Sequence, residues 1–270
     1  MTDSILNERR GAVAWLTLNR PQVHNAFDDN LIAALTEALA RADADPAVRC
    51  VVLSGSGSTF SAGADLHWMR GMAAASEQEN REDSLRLARL MRNLQFLSKP
   101  TIARVNGAAY GGGVGLVACC DIAIGVDGAK FALSEVKLGL VPAVISPYVV
   151  AAIGLREARR WFVSGEVFDA AEAQRIGLLH AVVAGAELDE AIERQLHFLA
   201  KAGPLAQREA KQLALRIAGA DPATAERIDT QNAELIARLR VSPEGQHGLG
   251  AFLDKRAPSW AAATPRESGT

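Results

Sequence analysis

The stretch GAAYGGGVGLVACCD, residues 107–121, places four glycines (Gly111, Gly112, Gly113 and Gly115) within five positions and follows them with small apolar residues. Backbone this bare belongs where another chain or a ligand comes very close, and the run after it belongs to an element buried on all sides. Two readings fit. Glycines between a strand and a helix let the first, unpaired helical amides point at an anion or a developing oxyanion, or they let a helix pack tightly on a strand. A dinucleotide fingerprint is a poor third, because Leu116 stands where GxGxxG needs its last glycine.

The flanking sequence gives this turn a setting. GAVAWLTLNRP and VRCVVLSGSG read as short strands, with DDNLIAALTEALARADADP between them at helical spacing. EDSLRLARLMRNLQFLSKP reads as an amphipathic helix, TIARVNG as a strand, GGGVGLVACCD as a buried helix and IAIGVDGAKFALSE as further strand. Strands and helices thus alternate to about residue 140, which predicts an α/β fold. From SPYVVAAIGLREARRWFVSG onward the pattern is helical, and PLAQREAKQLALRIAG, ATAERIDTQNAELIARL and SPEGQHGLGAFLDKR follow Pro or Ser-Pro starts. The expected organisation is a core over 1–200, a helical region over 201–260 and a loose tail over 261–270.

Composition narrows the function. With 270 residues, 49% apolar content and 29 Lys+Arg against 31 Asp+Glu, the chain can build a full core and shows no basic stripe. Nucleic acid and anionic membranes are therefore not expected partners. The opening MTDSILNERR does not have the form of an export leader, and no stretch is apolar for the length of a span. Cys50, Cys119 and Cys120 form no CxxC pair and sit in apolar runs, as suits a reducing cytoplasm. His24, His67, His180, His197 and His247 are scattered with no HxxxH or HExxH spacing, so no metal site is expected.

A second bare turn, STFSAGADLHWM, follows the strand CVVLSG and leads into a helix. Two N–H donors from two such turns, converging on one oxygen, form an oxyanion hole suited to thioester chemistry. Taken together and in order, NRPQVHNAF, FSAGADL, VNGAAYGGGVGLVACCDIAI, FALSEVKLGLVP and AFLDKR are similar to the enoyl-CoA hydratase/isomerase (crotonase) family over nearly the whole chain. The longer string from GGGVGLVACCDIAI to SPYVV most resembles its bacterial 3-methylglutaconyl-CoA / carboxygeranoyl-CoA hydratase branch.

What the resemblance implies is a crotonase-like spiral of ββα units in two nearly perpendicular sheets, with a C-terminal helical trimerisation region that builds trimers or dimers of trimers. It implies an acyl-CoA substrate and no separate cofactor, since coenzyme A arrives as part of the substrate. The amides of Ala64 and Gly112 would hold the thioester oxygen, and a side chain at 112 would intrude on the thioester. His24, Ala62, Gly63, Asp65, Leu66, His67 and Gly111 would line the CoA path, with Phe252 and Lys255 reaching CoA, in many family members from a neighbouring subunit. Glu135 would be the acid-base group, its pKa raised among Leu133, Val136 and Leu138.

Read singly, several of these residues have plainer uses. His67 can be an exposed helical histidine, Asp65 and Asp121 caps or ion-pair partners, and Tyr110 either a packed aromatic or a hydroxyl aimed at water. The chain also departs from the two-glutamate hydratases at Gly115, where they carry their second carboxylate. Three classes stay open: hydration of a branched or carboxylated enoyl-CoA, double-bond isomerisation by Glu135 alone, and non-catalytic CoA or RNA binding.

Overall fold

The computed structural model of the chain describes residues 3–263. Among the described residues ten strands form two sheets. The larger holds β1 (Ile5–Arg10), β2 (Val13–Leu18), β3 (Cys50–Gly55), β5 (Thr101–Val105), β7 (Ile122–Val126) and β10 (Ala181–Val183), in that spatial order. The smaller holds β4 (Thr59–Ser61), β6 (Ala108–Tyr110), β8 (Lys130–Ala132) and β9 (Val167–Asp169). Pairing is parallel within both, except for β1 on β2 and β9 on β8.

The logic of the two sheets is a repeated unit. The first strand of each pair (β3, β5, β7) joins the large sheet, the second (β4, β6, β8) joins the small one, and a helix returns the chain. Those returns are α2 (Leu66–Ala74) with α3 (Glu77–Gln95), then α4 (Gly112–Cys119), then α5 (Ser146–Ser164). Each sharp crossing between sheets is a loop of about three residues, and neighbouring loops are stitched by Asn106. Its side chain accepts from Gly55 N at 3.1 Å and donates to the Gly57 carbonyl at 3.0 Å.

Helix starts follow their local chemistry. Asp28 caps α1 (Asp29–Ala44) by accepting from Leu31 N at 2.8 Å, and Ser76 with Glu79 forms a capping box on α3. The predicted buried helix is α4, whose Val114, Leu116, Val117 and Cys119 are buried between β6, α3 and α5. The large sheet's outer face carries a second core, in which Trp15, Val52, Ile102 and Ile124 meet α7 (Leu188–Ala200).

The expectation that almost every segment from Ser146 onward is helical needs correction in two places. Two strands, β9 and β10, lie between α5 and α7 on either side of α6 (Ala170–Arg175), and each adds an edge to one sheet. Three-residue strands such as VFD and AVV are too short to show alternation, so their helical surroundings dominated the pattern. After them, α8 (Pro204–Ile217), α9 (Pro222–Val241) and α10 (Pro243–Leu253) follow. Helix α9 lies along α3, and α10 packs on α2 and on the 3₁₀ turn Glu135–Leu138. Of the expected tail, 261–263 belongs to a 3₁₀ turn, Ser259–Ala263, and 264–270 lies outside the described residues.

Candidate active site

Two turns meet in the wall of one cavity of about 390 Å³. In the first, Gly63 has φ +81°, and a Cβ there would stand 2.9 Å from the Tyr110 carbonyl, so only glycine fits both the backbone and the space. In the second, Gly111 has φ +49° and precedes α4 as its N-cap. A Cβ on Gly111 would lie 3.1 Å from Glu135 Oε1, so this glycine also clears the carboxylate's approach.

The two turns leave donors free. Phe27 bridges to Ala64 by giving its N–H to the Gly63 carbonyl (2.6 Å) and accepting from Asp65 N (2.9 Å). In a parallel bridge of this kind the central residue's own N–H points away from the partner, so the Ala64 amide faces elsewhere. Gly112 is the first residue of α4, where an amide has no intrahelical acceptor. Ala64 and Gly112 both line the cavity.

Glu135 supplies the reactive carboxyl. It opens the 3₁₀ turn after β8, where Leu140 N donates to its carbonyl at 3.1 Å and fixes the turn. Its Oε2 is buried with no hydrogen-bond partner among the described residues. Burial pushes its pKa from 4.5 up to about 7, opposed only by a hydrogen bond from its own amide. A carboxyl poised near neutrality can both take and return a proton.

Around these groups the wall is apolar, including Phe27, Met69, Met72, Leu138, Val144 and Ile145. Of the residues singled out in the sequence, Ala62, Gly63, Ala64, Tyr110, Gly111, Gly112, Glu135 and Phe252 line this one cavity. His24, Asp65, Leu66, His67 and Lys255 do not line it. His24 pairs its Nδ1 with Thr59 Oγ1 at 3.0 Å, and Leu66 is 48% exposed beside an exposed His67. Asp65 caps α2, accepting from His67 N at 2.7 Å, and holds Arg20 Nη2 at 3.0 Å. The hydrogen bonds to Asp65 and the Arg20 charge together hold its carboxyl below the usual range, against the opposing effect of its burial. Asp121 likewise accepts from Thr101 N (2.8 Å) and pairs with Lys211 Nζ (2.9 Å).

Packing within the chain gives glycine at 112 a reason of its own. A Cβ there would run into the Phe27 ring, 2.8 Å from Cδ2 and closer to Cε2, so it is the fully buried Phe27 that excludes a side chain. Sequence reading also missed Trp68 and Arg240, which line the cavity. Arg240 lies on α9, far along the chain, where a charge in a helical pattern reads as a solvated face.

The sequence model of the enoyl-CoA hydratase/isomerase family matches residues 8–263. The crotonyl-CoA hydratase of Syntrophomonas wolfei is 32% identical, over 94% of this chain and 96% of that one. The 2,3-dehydroadipyl-CoA hydratase of Escherichia coli is also 32% identical, over 95% of this chain and 98% of that one. The crystal structure of an enoyl-CoA hydratase from Shewanella pealeana superposes with a TM-score of 0.77 at 41% identity, over 95% of this chain and 96% of that one. With two bare turns, a buried carboxyl and an apolar cavity on a spiral of ββα units, the chain belongs to the enoyl-CoA hydratase/isomerase family.

Proposed function

We propose that the protein is an enoyl-CoA hydratase that adds water across the C2=C3 bond of an acyl-CoA thioester, with a branched or carboxylated acyl chain such as 3-methylglutaconyl. The observation that carries this is Glu135: one buried, unpartnered carboxyl, poised at about 7, at the edge of the Gly111 turn. In this reading the Ala64 and Gly112 amides receive the thioester oxygen as it becomes an enolate. Glu135 takes a proton from water as the oxygen bonds to C3, and a proton returns to C2, so that one water is added overall. Coenzyme A enters with the substrate, its path running past Ala62 and Gly63 toward His24 and His67.

A carboxylated acyl chain accords with the similarity to a 2,3-dehydroadipyl-CoA hydratase, whose named substrate ends in a carboxylate. A β-carbon bearing a methyl group would give a tertiary alcohol, for which the substrate's own carboxylate can help to place the water. We further propose assembly as trimers or dimers of trimers, built through the C-terminal helices. The test is incubation with 3-methylglutaconyl-CoA, crotonyl-CoA and a 3-enoyl-CoA, followed by mass analysis. A gain of one water on the 2-enoyl thioesters supports hydration, whereas a shifted double bond without mass gain overturns it in favour of isomerisation.

A further inference from the structure

One part of the cavity is not apolar. Trp68 on α2 and Arg240 on α9 both line it, four residues beyond the Ala64 amide in the one case and across the fold in the other. Trp68 is 8% exposed, and its Nε1 is buried with no hydrogen-bond partner among the described residues. The Arg240 guanidinium stands 5.7 Å from the Trp68 ring centroid, so the two polar groups share one wall.

Arg240 is held rather than loose. Its Nη1 donates to Asn80 Oδ1 and to Asp83 Oδ2, each at 3.1 Å, and both acceptors are wholly buried. Those are its only side-chain hydrogen bonds to described residues, so the Nε and Nη2 edge of the fork has no acceptor there. Asp83 is shared, because Arg86 Nη2 also donates to it at 3.0 Å. Among the described residues the cavity is lined by three cations, Lys137, Arg240 and Arg256, against the one carboxyl of Glu135. Lys137 and Arg256 are exposed, whereas the Arg240 side chain is 14% exposed.

A half-buried guanidinium edge and a buried indole N–H, both without acceptors among the described residues, in a cavity short of negative charge, fit an anion with two oxygens in a plane. We infer that Arg240 and Trp68 form the subsite that reads a terminal carboxylate on the acyl chain, selecting ω-carboxylated enoyl thioesters over plain alkyl ones. This rests on the proposed acyl-CoA reading and names the residues that set its substrate class.

The test uses a pair that cannot react: glutaryl-CoA and valeryl-CoA, five-carbon saturated chains with and without the terminal carboxylate, titrated by calorimetry. The wild-type protein should bind glutaryl-CoA at least tenfold more tightly. Arg240→Gln, which keeps a donor for Asp83, should cut that preference below threefold, and Trp68→Phe should cut it at least twofold. Equal affinities in the wild type overturn the subsite, as does an undiminished preference in a folded Arg240→Gln. Should that variant not fold, an undiminished preference in Trp68→Phe overturns it. Hydration of glutaconyl-CoA is scored separately: a glutaryl preference without water addition leaves the subsite standing and removes the hydratase reading.

Discussion

Ile145 occupies the space that any side chain on Gly115 would need. A Cβ on Gly115 would lie 2.9 Å from Ile145 Cβ and closer to its Cγ2, with Met91 Cε at 3.2 Å. Ile145 is buried at the start of α5 and is β-branched, so it has little freedom to rotate aside. The two-glutamate arrangement is thus excluded twice, by the missing carboxylate and by the packing that fills its place.

Gly115→Glu alone should therefore destabilise the fold, by ~1–3 kcal/mol, without gaining activity. Paired with Ile145→Gly, which vacates the space, it should fold better and raise crotonyl-CoA hydration relative to 3-methylglutaconyl-CoA hydration. Denaturant midpoints and both turnover rates on the two variants check this. No gain in the double variant would show that a second carboxylate is not what limits hydration of straight chains.

Gly112→Val should lose both turnover and stability, because its side chain meets the buried Phe27 ring rather than open cavity. Overpacking of this kind costs ~1–3 kcal/mol. Trimming the ring with Phe27→Leu should recover part of the stability of Gly112→Val. If turnover returns with it to near the wild-type level, a side chain at 112 does not intrude on the thioester.

The fold was legible where the chemistry is local. The alternation of strand and helix, the caps at Asp28 and Ser76, and the bare turn before α4 all appear in the residues themselves. The edge strands β9 and β10 were not, since three residues carry no period and a sheet edge is defined by its partner. For the site, Glu135 and the two turns were found through motifs, but the purpose of each glycine was not. Whether Gly112 makes room for a ligand or for Phe27 depends on contacts between residues 85 positions apart (112 − 27), which no local pattern records. Arg240 was invisible for the same reason: its acceptors Asn80 and Asp83 lie on another helix.

Self-association should be measurable. Helix α8 has no buried residue, and Leu205, Leu213 and Ile217 on it are 66%, 48% and 80% exposed. Exposed apolar side chains gathered on one helix suit contact with another copy of the chain. Sedimentation at micromolar concentration should give at least a trimer, and a monomer would refute the assembly. Lys255→Ala should raise KM with kcat nearly unchanged if that lysine reaches a CoA held by a neighbour, and an unchanged KM removes it from the CoA site.

The mechanism itself is tested at Glu135, whose burial also makes a stability signature. Its pKa is raised from 4.5 to about 7, so the unfolded chain ionises first as pH rises, and folding must then take up a proton or bury the charge, at a cost. The stability tied to the protonated carboxyl is full below about pH 4.5 and is lost as pH climbs through about 7. By linkage the loss is about 3 kcal/mol. Glu135→Gln cannot ionise, so its stability relative to the wild type should improve by about that amount between about pH 4 and pH 8, read from urea midpoints. In the same variant kcat should fall ~10²–10⁴-fold while KM changes little, since size and hydrogen-bonding shape persist but proton transfer does not. If Glu135→Gln keeps most of its hydratase activity while showing the stability gain, the carboxyl is buried as described but another group moves the proton.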